Sequence, residues 1–342
     1  MLVEQSVNVA LSVADRAYFM EKGEVRFEGP TRELLERDDI VRSVFLEGAG
    51  TGRPVSARAR AERVAEVGID ERPVVLEASG ISVSFGGIRA VADVDLHVRE
   101  GEILGLIGPN GAGKTTVFDV LSGFLVPSAG TVRFLGEDVT QWGPDRRARW
   151  GLGRSFQDAR IFPSLTVAEN IALSLERHLE VRDHIAAALG LPDVRELEVD
   201  VAWTVADLIE LMRLGAFRDK FVGELSTGSR RVVDLAMSIA HDPTVLVLDE
   251  PSSGIAQRET EALGPLLQRI RTETGCAMLV IEHDMPLITT VSDRLLALEI
   301  GRVIAEGLPQ DVIRDPRVVS SYLGTTDSST VHRSGTPAGS RT

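Results

Sequence analysis

The sequence predicts an α/β fold built round a phosphate-binding loop, and three observations carry the prediction. A glycine-rich run, Gly108-Pro109-Asn110-Gly111-Ala112-Gly113-Lys114-Thr115, stands between a strand-like apolar stretch at residues 101–107 and a helical pattern. Two apolar runs, residues 244–248 and 277–281, alternate with helix-like segments, the order that gives a parallel sheet. Between the glycine-rich loop and these runs, residues 165–221 carry amphipathic helical patterning, broken near Gly190-Leu191-Pro192, so a helical subdomain of about residues 158–240 is expected to interrupt the sheet.

Composition sets the frame for these elements. The chain has 342 residues, 43% hydrophobic and 26% charged, the balance of a protein that buries a sizeable core. No stretch approaches the roughly 18 apolar residues of a membrane helix, and the N-terminus lacks a secretory pattern, so a cytoplasmic protein is expected. A net charge of −14 argues against a nucleic-acid partner, whose phosphates select clustered Lys and Arg, and favours protein partners. The single cysteine, Cys276, adjoins an apolar run and reads as a small buried hydrophobe.

In chain order, residues 1–50 hold a partial internal repeat. A gap-free offset of 278 positions aligns residues 4–29 with 282–307, and nine of the 26 pairs are identical, including Asp15-Arg16 with Asp293-Arg294 and Gly23 with Gly301. Residues 51–73, rich in Ala, Arg and Glu, read as a linker with a short helix. The main domain spans residues 74–324, opening with strand, turn, strand, loop and helix. Residues 325–342, rich in Ser, Thr and Gly, read as a disordered tail.

The chemistry of the loop follows from its residue types. Glycines let backbone N–H groups turn inward round phosphate oxygens, Lys114 brings a cation to the β- and γ-phosphates, and the Thr115 hydroxyl, with Thr116 next to it, stands ready for Mg²⁺. Val245-Leu246-Val247-Leu248-Asp249-Glu250 reads as a buried strand ending in two acids. Beside a phosphate loop, Asp249 would reach the Mg²⁺ shell and Glu250 would orient and deprotonate the attacking water; the rival is a pair of solvated charges.

Leu225-Ser226-Thr227-Gly228-Ser229, about 20 residues before Glu250, resembles the Leu-Ser-x-Gly-Gln signature of the ABC ATPases, with Ser229 replacing the usual Gln. The resemblance implies that Ser226 and Gly228 contact a γ-phosphate; an isolated helix cap is the alternative. Arg154-Ser155-Phe156-Gln157 looks like the family's Q-loop, which gives Gln157 contact with Mg²⁺ and the attacking water. Ile281-Glu282-His283-Asp284 looks like its switch histidine, and Phe85 occupies the position that stacks on adenine, against a rival reading as a core aromatic. After Pro251 the run Ser252-Ser253-Gly254-Ile255-Ala256-Gln257 lacks the Asp usual in the family's D-loop.

Phe85-Gly86-Gly87, the stretch from Ile161 to Asn170 and the helical insertion look most like the LivG-type ATPases of branched-chain amino acid importers, over about residues 74–324. That implies an ABC-type P-loop ATPase, using ATP and Mg²⁺, whose composite site needs two chains. The second would be a copy of itself or a LivF-like companion, and both would dock on transmembrane permease subunits at the inner face of the membrane, beside Gln157. Residues 1–50 resemble the end of a LivF-type ATPase, with Gln5 where the main domain has His283, and a truncated tandem fusion is the expectation. Urea, amide and lipopolysaccharide systems use similar ATPases, and a soluble non-transport ABC ATPase is the alternative from outside transport.

Overall fold

The computed structural model describes residues 16–21, 24–30, 54–155, 161–175 and 192–327, divided between two compact units, residues 1–56 and 57–342. In the first unit, β1 (Arg16–Glu21) and β2 (Glu24–Pro30) form an antiparallel hairpin.

The second unit begins within α1 (Pro54–Glu66). The segment read as a linker is therefore a helix fastened to the main body. Arg60 and Val64, four residues apart on one helix face, do the fastening. The Arg60 guanidinium donates to the Thr274 carbonyl and the Asp242 carboxylate, each at 2.9 Å, while Val64 fills the space over Gly101.

Two sheets follow. β3 (Val74–Phe85) and β4 (Ile88–Arg99) turn at Gly86-Gly87 and pair antiparallel. β6 (Ala129–Phe134) and β7 (Glu137–Asp138) complete a sheet of order β4-β3-β6-β7. The larger sheet has the order β12-β11-β5-β10-β9-β8, from β5 (Ile103–Ile107), β8 (Leu152–Arg154), β9 (Val245–Asp249), β10 (Ala277–Ile281), β11 (Arg294–Glu299) and β12 (Arg302–Gly307). Its neighbours run parallel except β11 with β12. The alternation of strands and helices pointed to the parallel sheet; the separate antiparallel one went unread, because a hairpin signal does not say which sheet it joins.

The central strands are apolar throughout because both their faces are covered. Ile103, Ile107, Leu246, Leu248, Met278 and Val280 point into one core. Leu104, Leu106, Val245, Val247, Leu279 and Ile281 alternate into the other. The first core is filled by helices: α4 (Val167–Leu175), α5 (Pro192–Leu211), α6 (Thr227–Ile239), α7 (Gln257–Thr274) and α8 (Met285–Val291). The second is filled by α2 (Lys114–Ser122) and the antiparallel sheet. Cys276 is fully buried in the first core, where burial pushes its thiol up to about 12.

A buried arginine fixes the far end of α2. Arg147, on α3 (Pro144–Arg149), donates to the carbonyls of Val120 and Leu121 at 2.7 and 2.6 Å and to three more from Trp142, Val139 and Thr140. Burial brings its pKa down to about 10, and the carbonyl acceptors satisfy what water no longer can.

The last described elements are the short α9 (Pro309–Val312) and α10 (Pro316–Asp327). Residues 325–327, read as the start of a tail, instead continue α10, since a nucleated helix adds residues cheaply; residues 328–342 lie outside the described residues.

The two hairpins of the internal repeat pair alike. β1 with β2 pairs Ala17 with Gly29, Phe19 with Phe27 and Met20 with Val25, with a register shift between Phe19 and Met20. β11 with β12 pairs Leu295 with Gly307, Ala297 with Ala305 and Leu298 with Val303, with the shift between Ala297 and Leu298. Under the 278-residue offset, both pairing and irregularity coincide.

Candidate nucleotide-binding site

Parallel strands present their carboxyl ends on one edge of a sheet, and ligands bind in the crevice outside it. Here β5 runs out into the glycine-rich loop, β9 into Asp249 and Glu250, and β10 into Glu282 and His283. Because β10 lies between β5 and β9, the three exits are neighbours.

The loop is clamped from outside. Gly108 has φ 152°, and a Cβ there would strike the Leu298 carbonyl; Gly113 has φ 101°, with the Ala90 carbonyl 2.6 Å from where a Cβ would sit. Only glycine fits such approaches. The Gly108 N–H donates to the Tyr322 hydroxyl at 2.8 Å, and the Gly301 N–H donates to the Ala112 carbonyl at 2.9 Å. Gly113 caps α2 without a side chain, so the first turn's N–H groups, which have no helical acceptor, face the crevice uncapped. Asn110, Gly111 and Thr115 are exposed, Pro109, Gly113 and Thr116 partly so.

Lys114 is buried, and its ammonium donates to the carbonyls of Gly108 at 2.6 Å and Pro109 at 3.1 Å. Burial lowers its pKa, while Glu250 and Asp249 act the other way, which places all three groups within one electrostatic neighbourhood. Asp249 is 7% exposed and its carboxyl is raised, by burial first, against the pull of Arg154. His283 Nε2 lies 2.9 Å from Glu250 Oε1. Glu250 has φ 47°, a left-handed backbone that costs a non-glycine residue of order 1–3 kcal/mol. Its N–H donates to the Ile281 carbonyl at 3.0 Å, which holds the strained turn against β10.

The crevice thus gathers the loop, Lys114, Asp249, Glu250 and His283. Phe85 is 52% exposed at the end of β3, a surface aromatic rather than a core one. Gln157 lies outside the described residues. Ser226 and Gly228 form a second cluster, at the start of α6. Ser226 caps that helix by accepting the Ser229 N–H at 3.2 Å, and donates its hydroxyl to Glu259 Oε1 at 2.7 Å.

Four supporting residues had no role in the sequence reading. Arg231 is 4% exposed and donates to the carbonyls of Asp249 and Glu250 at 3.2 and 3.3 Å. Glu282 accepts the Ser252 N–H at 2.7 Å with one oxygen and the His283 N–H at 3.0 Å with the other, tying the loop after Pro251 to His283. Arg154 bonds Asp119 at 2.8 Å and reaches Asp249 at 3.9 Å. Tyr322 comes from α10, more than 200 positions along the chain from Gly108. The available signal for Arg231 was a charge three residues before Asp234, with which it pairs at 3.8 Å on the buried face of α6; nothing local in sequence marks Tyr322.

Fold and site define a P-loop nucleotide-binding ATPase. The model of the ABC transporter family matches residues 91–253, and that of the branched-chain amino acid ATP-binding cassette transporter matches residues 302–328. The high-affinity branched-chain amino acid transport ATP-binding protein BraF of Pseudomonas aeruginosa is 37% identical over 253 residues, 74% of this chain and 98% of that protein. LivG of Escherichia coli, of the same description, is 34% identical over 250 residues, covering 73% and 98%. Among solved structures, the ADP conformation of an ATP-binding cassette of an ABC transporter superposes with a TM-score of 0.62 at 27% identity, covering 74% of this chain and 99% of that one. The chain belongs to the ATP-binding subunits of ABC transporters, a family of ATP-hydrolysing cassettes, in the group of LivG and BraF.

Proposed function

We propose that this chain hydrolyses Mg-ATP at the crevice and that hydrolysis drives import of branched-chain amino acids through transmembrane permease subunits, with the chain on the cytoplasmic face of the membrane. The observation that carries the chemistry is the His283–Glu250 contact of 2.9 Å at the strand exits facing Lys114. In this reading the phosphates lie in the loop from Gly108 to Thr116, with adenine against Phe85. Glu250 accepts a proton from water as the water oxygen bonds to the γ-phosphorus and the bond to the ADP oxygen breaks. His283 holds Glu250 and the γ-phosphate. The Thr115 hydroxyl and the Asp249 carboxylate are hard oxygen donors of the kind Mg²⁺ selects, with Gln157 as a third, and the ion would offset phosphate charge.

Ser226 and Gly228 have partners in their own cluster, and in this reading they serve the nucleotide of a second ATPase subunit, either a LivF-like companion or another copy. The substrate assignment is supported by the names of BraF and LivG and by the match at residues 302–328. The coincident hairpin registers support reading residues 1–50 as a copied end of such a cassette.

The test is steady-state ATP turnover of the full chain beside Glu250→Gln. Loss of turnover by roughly 10²–10⁴-fold, with ATP binding kept, is expected of a general base. Unchanged turnover in the variant would remove Glu250 from the chemistry.

A further inference from the structure

The signature cluster already holds an anion, and it comes from the same chain. Glu259 stands in the first turn of α7, its N–H bonded to the Ala256 carbonyl at 2.8 Å, so the loop after Pro251 sets its position. One carboxylate oxygen takes the Ser226 hydroxyl proton at 2.7 Å. The other presses on Gly228: a methyl group there would collide with Oε2 and come within 2.6 Å of the carboxyl carbon. The carboxylate therefore covers the hydroxyl and the glycine face at the N-terminus of the 13-residue α6, where the helix dipole favours negative charge.

We infer that Glu259 is a positioning residue of the signature face, an internal stand-in for the terminal phosphate that must swing off Ser226 before a second subunit's nucleotide can seat there. This rests on the proposal that Ser226 and Gly228 receive that phosphate. A serine hydroxyl has one proton to donate, and of its two acceptors the Glu259 carboxylate, at 2.7 Å, is nearer than the Ser229 hydroxyl at 3.1 Å. Carboxylate and phosphate, both anionic, cannot share the spot without repulsion in a partly dehydrated interface. Displacement costs free energy, so Glu259 raises the ATP concentration needed to close two chains together. Its place next to the loop after Pro251 lets a shift of that loop withdraw it.

The experiment uses the full chain with Glu250→Gln, so that ATP persists, and compares it with the same chain carrying Glu259→Gln or Glu259→Asp. Dimer fraction is followed by sedimentation over a Mg-ATP titration, and ATP binding by the single chain is measured separately by nucleotide fluorescence. Glutamine keeps an acceptor for Ser226 but sheds the charge, so half-maximal dimer is expected at roughly tenfold lower ATP, with single-chain binding unchanged. Aspartate, shorter but charged, is expected to fall between. A merely structural role would leave the ATP requirement untouched or raise it. An equal or higher requirement in Glu259→Gln, or no dimer with either glutamate or glutamine, overturns the inference. Loss of ATP binding in Glu250→Gln alone instead overturns the nucleotide-site reading, and the inference with it.

Discussion

The molecule has two helix N-termini suited to anions, and they are prepared in opposite ways. At the start of α2 the cap is Gly113, which has no side chain, and the loop is braced from behind by Tyr322, Gly301 and the Leu298 carbonyl. At the start of α6 the cap is Ser226, and Glu259 covers it. The first terminus is braced on its outer side and left open on the inner; the second is satisfied internally and has to be undone. If the first terminus holds phosphate and the second meets a partner, as proposed, then rigidity at the one and an exchangeable contact at the other suit a cycle of closure and release, because a site that changes state needs two arrangements of similar free energy.

The sharpest way to break this comparison is to disable each terminus separately. Lys114→Ala removes a buried cation, and ATP binding by the single chain should weaken by roughly 10- to 100-fold, the worth of a charge-assisted contact. Ser226→Ala should leave that binding within about twofold yet cut turnover by roughly tenfold, because in the proposed reading the phosphate it serves is held by a second subunit. Fluorescence titration and ATP turnover separate the two. Equal loss of single-chain binding in both variants would merge the two termini into one site.

Arg231 links the faces, since it sits on α6 yet holds the carbonyls of Asp249, Glu250 and, at 3.4 Å, Pro251. Arg231→Met leaves those carbonyls without their donor in a buried place. A stability loss of about 2–4 kcal/mol in urea unfolding is expected, and Arg231→Lys should recover only part, as an ammonium cannot reproduce the guanidinium fork. Tyr322→Phe is milder. It removes one hydroxyl from a buried Gly108 N–H, costing about 1–3 kcal/mol, and should raise the KM for ATP more than it lowers kcat. A pure stability loss with KM unchanged would reduce Tyr322 to a strut.

What was legible in the sequence was what is local. The loop, the two acids on β9 and the strand β10 are each a continuous run whose residue types state their chemistry, and β10 has the predicted bounds, Ala277–Ile281. The serine cap at Ser226 is likewise a short-range pattern. The contacts that join elements are not local. Glu259 meets Ser226 across 33 positions and Arg294 meets Glu102 across 192, and no periodicity encodes which charged residue of an exposed-looking helix turn will fold back. The repeat shows the same limit. Identical residues at the 278-residue offset imply two like hairpins, and their registers agree, but only the C-terminal copy carries Gly301 against the phosphate loop in contacts the described residues define.

The smallest expected effect concerns a cost built into the open terminus. Burial raises the Asp249 carboxyl above its ordinary value, with Glu250 pushing the same way and Arg154 and Arg231 opposing. An acid whose pKa is higher in the folded state costs nothing while both states are protonated. The cost grows as pH rises from the unfolded value through the folded one, and is full above it. Above the folded value the nucleotide-free chain bears all of it, at a carboxylate that in the proposed mechanism serves the cation accompanying ATP. Asp249→Asn has no charge to bury, so its nucleotide-free form should melt higher than the unmodified chain at neutral pH, with the gain shrinking as pH falls toward the ordinary carboxylate range. The same variant should lose most of the rise in melting temperature that Mg-ATP confers. If Asp249→Asn instead melts lower at neutral pH, the attraction of Arg154, 3.9 Å away, and of Arg231 outweighs burial. The carboxylate would then be part of the scaffold that braces the crevice, and the contrast between a braced rear and a costly open front would fail at this residue.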